Sequence, residues 1–161
     1  RDSHETGGIA LGTGKYALNL KALENQKASA EVLSKKISDL RKAKNNHVAW
    51  EDIKNLLSEE MGFWSVLPIT WEQEKKLRDE YEKSFVRNKV EFAESMYAKT
   101  EPMAAKAKEV MDQIAMVGWT SGGHSAGYVP VFAIGAGSDL FIGKMDNTEI
   151  PKRIAKAGGY K

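Results

Sequence analysis

The sequence predicts an α+β fold in which a helical middle is carried between short strands at the two ends. Three observations predict it. Glycine-bracketed apolar runs, GGIALG near the start and VPVFAIG near the end, have the length and composition of short buried strands. Between them, over residues 28–117, apolar side chains recur at helical spacing. Capping residues, glycines and prolines punctuate that middle into separate helices.

The elements follow in chain order. In residues 1–27, Ile9, Ala10 and Leu11 make a strand, and GTGKYALNLKAL continues as loop and then irregular or helical chain. Ser29 is placed to cap a helix bearing Leu33, Ile37 and Leu40. A second helix starts near Ala49, buries Trp50, Ile53, Leu56 and Leu57, and stops at Gly62. FWSVLP breaks at Pro68, and Thr70 with Gln73 forms a capping box for a helix carrying Leu77, Tyr81 and Phe85. A further helical stretch is expected over Val90 to Tyr97. Pro102 opens the last middle helix, with Ala107, Val110, Met111 and Ile114 on one face. In residues 118–161, VPVFAIG reads as a buried strand and DLFIG as a second one after the turn GAGSD. Asn147 caps a final helix that has Pro151 in its first turn and Gly158 beyond its end. Two or three short strands make a poor sheet by themselves, so they read as part of a sheet with further strands. Their exposed edges invite self-association.

Composition narrows the function. The 161 residues suffice for one compact domain, with 42% hydrophobic and 29% charged residues. Basic and acidic residues number 24 and 22, a net charge of +2, so nothing argues for nucleic acid or an anionic membrane as partner. With no cysteine, disulfides and thiolate metal sites are excluded, and a metal would need His, Asp, Glu or hydroxyl ligands. The apolar runs are far short of a membrane span, and the polar start RDSHETGG is unlike a signal peptide.

Few residues are placed for chemistry. Gly12-Thr13-Gly14-Lys15 invites a phosphate-loop reading, but Ile9 stands where the leading glycine belongs and Tyr16 where Ser or Thr should follow the lysine. Gly12, Gly14 and Ala17 fit a loose dinucleotide pattern, yet no second strand follows to complete the βαβ unit. His4 is followed by Glu5, Thr6 and two glycines and His124 is preceded by two glycines, so at both the backbone can turn sharply and present a side chain. Neutral imidazole is the commonest metal ligand, but a loop histidine is more often a turn or packing residue. By residue type alone both readings stay open. His47, before a helix, reads as a surface residue, and EQEKKLRDEYEK as a solvated helix face. Phe63, Trp64 and Trp71 read as core or as a cover over the helices.

In order, HETGG, WTSGGHSAGYVPVFAIG and DLFIGKMDNTEIPKRIAKA resemble the C-terminal part of metal-dependent alkaline phosphatases. That family has a D-H-E-T-G-G type segment, a helical insertion, a W-T-S-x-x-H-T/S motif, a V-P-V strand and a closing D-N-T-x-I helix. The resemblance covers essentially the whole chain. It implies a zinc- and magnesium-dependent phosphate monoester hydrolase acting at alkaline pH through a phosphoserine intermediate. It further implies a large α/β sandwich, of which this chain is a C-terminal piece with 28–117 as a helical insertion. By the same resemblance, His4 and His124 match ligands of two different zinc ions. Where the family has a ligating aspartate before the first histidine, this chain has Ser3, with Asp2 one position earlier; a neutral hydroxyl is much the weaker zinc ligand. The nucleophilic serine and the remaining ligands are expected upstream, so the chain alone is expected to be inactive. A periplasmic or secreted location, and a homodimer or association with the N-terminal part, are implied as well. The alternative is a non-enzymatic helical assembly or partner-binding module derived from the family.

Overall fold

The structure, a computed structural model, describes residues 7–14, 17–94 and 99–160. It divides into two compact units, Ile9–Gly123 and a second made of Arg1–Gly8 with His124–Lys161. Helices with small antiparallel sheets make it α+β, as the sequence predicts.

In the first unit, strand β1 (Ile9–Leu11) is followed by a 3₁₀ turn (Leu20–Asn25) and helix α1 (Ala30–Ala43). Helix α2 is Trp50–Met61, α3 is Trp71–Tyr81, and α3 runs on into a π-helical turn, Glu82–Val86. Strands β2 (Ala93–Glu94) and β3 (Lys99–Thr100) pair antiparallel, then come α4 (Pro102–Ala115) and β4 (Val117–Trp119). The helix boundaries have the predicted causes. The Ser29 hydroxyl accepts from Val32 N at 3.2 Å, and Thr70 and Gln73 exchange both capping-box bonds. Gly62 ends α2 at φ +71°; a Cβ there would lie 2.9 Å from the Asn25 Cβ, so no larger residue fits.

Helix α4 is the centre of the core. Met103, Ala104, Ala107, Val110 and Met111 are all fully buried, the i, i+3, i+4 stripe of a helix packed on one side. It packs against α1, α2 and α3, which contribute Leu33, Ile37, Ile53, Leu57 and Leu77. Each such side chain stabilises the fold by about 1.5–3 kcal/mol through burial. One buried ion pair ties this core together. Arg41 of α1 donates from Nη2 to Glu101 Oε1 at 2.9 Å, with side-chain exposures of 14% and 1%. Its Nη1 donates to the Ser84 carbonyl at 3.2 Å, and its guanidinium lies 3.6 Å above the Phe85 ring. The second Glu101 oxygen accepts from Met103 N and Ala104 N and so caps α4. The desolvated charges are therefore compensated by hydrogen bonds on both sides.

The second unit, in its described part, has a 3₁₀ turn (Ser138–Phe141) and helix α5 (Glu149–Ala157). No described residue from 124 to 160 is buried.

Several expectations are corrected. VPVFAIG is neither strand nor buried: residues 128–134 run without regular structure, and Phe132 is 89% exposed. Its apolar, β-branched composition encodes a preference for burial, but a strand also needs a neighbour to pair with. DLFIG is a 3₁₀ turn, because Gly137 at φ +80° turns the chain and Leu140 N donates back to the Gly137 carbonyl. Val90 does not begin a helix. Asn88 adopts φ +53° and Lys89 N bonds the Lys83 carbonyl six residues back, after which the chain has no regular structure up to β2; residues 95–98 lie outside the described residues. The β1 strand forms, but Ile9 and Leu11 are more than half exposed, since a two-stranded sheet covers one face only. Trp71 is 73% exposed, as the first residue of α3 directed away from the core, whereas Phe63 is buried and Trp64 half-buried. The cap of α5 is Thr148 and not Asn147; Asp146 Oδ1 accepts from both the Thr148 backbone N–H and its hydroxyl.

Candidate functional site

The WTSGGH segment begins at Trp119, the last residue of β4. Helix α4 ends on Met116 in the left-handed region (φ +58°), which turns the chain directly into Val117. Strand β4 pairs antiparallel with β1 in the register Ile9↔Trp119, Ala10↔Gly118, Leu11↔Val117. Space at Gly118 is tight, since a Cβ there would sit 3.0 Å from Thr13 Cγ2. Beyond β4, Ser121 Oγ donates to the Gly123 carbonyl at 2.7 Å and closes a small turn. His124 follows at the start of the second unit, exposed, and Gly127 N then donates to Ser125 Oγ at 3.3 Å. The glycines before His124 have open space around them, so they provide backbone freedom and no packing.

His4, Asp2 and Ser3 lie outside the described residues. Among the described residues, no group of three or more His, Asp or Glu side chains is placed to hold a metal ion. Of the two histidines expected to bind zinc, the described residues include His124, and a single imidazole does not make a zinc centre. His47 is an exposed residue of the turn between α1 and α2, its N–H bonded to the Lys44 carbonyl.

The phosphate-loop reading of Gly12 and Gly14 also meets a physical obstacle. Gly12 N and Thr13 N both donate to the Met116 carbonyl, at 2.8 and 3.1 Å. Those amides serve the β1–β4 junction and are not turned toward a phosphate. Lys15 lies outside the described residues.

Two recesses of the first unit carry charged side chains on partly apolar walls. One of about 520 Å³ between α1 and α2 is lined by Lys36, Asp39, Asp52, Glu59 and Glu60, with Lys36 paired to Glu60 and Lys44 to Asp52 at 3.1 Å. The Asp52 carboxyl is held below the ordinary carboxylate range by the Ala49 backbone N–H and by Lys44. Another, of about 300 Å³, lies beside β4, where the Lys108 ammonium stands 5.1 Å from the centre of the Trp119 ring. Sequence reasoning missed that contact; the Lys108–Asp112 spacing of four marks only a helix-face ion pair.

Comparison with known proteins identifies the class to which the chain belongs. The sequence signature of the alkaline phosphatase family matches residues 2–160, and the chain belongs to that family. It is 45% identical over 67 residues to Alkaline phosphatase 3 of Bacillus subtilis (strain 168), covering 35% of this chain and 14% of that protein. Its fold is similar to that of a cold-active alkaline phosphatase from the psychrophile Shewanella sp., with a TM-score of 0.61 and 21% identity, over 95% of this chain and 31% of that one. The matched portion is a minor part of each relative.

Proposed function

We propose that this chain is the C-terminal portion of a phosphate monoester hydrolase of the alkaline phosphatase type. The observation that carries the reading is the family match over residues 2–160, which includes HETGG, WTSGGH and the closing helix in the expected order. On this reading the enzyme uses zinc and magnesium and a phosphoserine intermediate, and the nucleophilic serine lies on polypeptide outside this chain. His4 and His124 serve two different zinc ions, with Asp2 or Ser3 beside the first. Residues 28–117 form a helical insertion within the hydrolase. The protein works outside the cytoplasm as a homodimer, or this chain associates with the N-terminal part of the protein. Among the described residues no helix is long and apolar enough to cross a membrane.

The test uses the full-length protein. His124→Ala is expected to lower bound zinc, measured by elemental analysis, and to reduce p-nitrophenyl phosphate turnover at alkaline pH by at least about 100-fold, the scale on which metal-site interactions act. Unchanged zinc content and turnover would remove His124 from the site. The present chain, supplied with zinc and magnesium, is expected to show no turnover; clear alkaline turnover overturns the assignment of the nucleophile to another segment.

A further inference from the structure

We draw no further inference here: the strongest candidate, the exposed apolar groove of Val131, Phe132, Ile134, Phe141 and Ile142 in the second unit, is an unpartnered face, and nothing in the structure shows what covers it.

Discussion

Glu101 does two jobs with one carboxylate: it neutralises Arg41 and it caps α4. Replacing it by glutamine keeps an acceptor for the cap but leaves a nearly buried guanidinium without its countercharge. Glu101→Gln is expected to cost about 3–5 kcal/mol, as breaking a buried pair does; a urea unfolding midpoint equivalent to less than about 0.5 kcal/mol of change would show that the pair is solvated. Half-buried carboxylates make a different prediction. Glu74 accepts from Arg78 Nε at 2.8 Å and from Trp64 Nε1 at 3.0 Å, and the Arg78 bond above all holds its carboxyl below the ordinary range. Asp52 is lowered in the same direction by the Ala49 N–H and Lys44. Both groups bind a proton less readily folded than unfolded. Their contribution is therefore complete above the ordinary carboxylate range and is lost as pH falls from that range through the lower folded one. Thermal midpoints should fall over that range, and less steeply in Glu74→Gln; an identical pH profile in the variant would mean that Glu74 is not held by Arg78. Neither role is visible in the sequence, where Glu101 and Glu74 are two of many acidic residues.

At the scale of elements, local chemistry explains most helix ends. Thr70→Ala removes a satisfied capping box and is expected to cost about 1 kcal/mol. Asn147→Ala is expected to cost almost nothing, because Asp146 holds the Thr148 N–H at the helix start where the sequence offers Asn147 as the cap. Comparing the two by circular dichroism melting decides between these caps; equal losses would restore Asn147 to the role. The helices were legible because a stripe such as Met103, Ala104, Ala107, Val110, Met111 needs only its own period to be recognised. The end of α3 was not. Asn88 adopts a left-handed conformation that an asparagine permits but does not announce, so the irregular run up to β2 looked like more helix.

At the scale of the molecule, the two units differ in what they bury. Among the described residues, every buried hydrophobic side chain lies between Ala22 and Val117, whereas Tyr128, Phe132, Ile134 and Ile142 are all exposed. Residues 9–123, expressed without the rest of the chain, are therefore expected to fold alone, with a cooperative urea transition and protection of the core from limited proteolysis; a non-cooperative transition would show that the unit depends on the remaining residues. The sequence by itself determined the helical periods, the caps at Ser29 and Thr70, the stop at Gly62 and the ordered motifs that mark the family, because each depends on residues near one another along the chain. Tertiary structure alone decided that Arg41 meets Glu101 across 60 positions, that β4 pairs with β1, and that the apolar run 128–134 stays unpaired. Those outcomes depend on which distant surface arrives beside a residue, and an apolar stretch specifies its preference for burial without specifying the partner that would provide it.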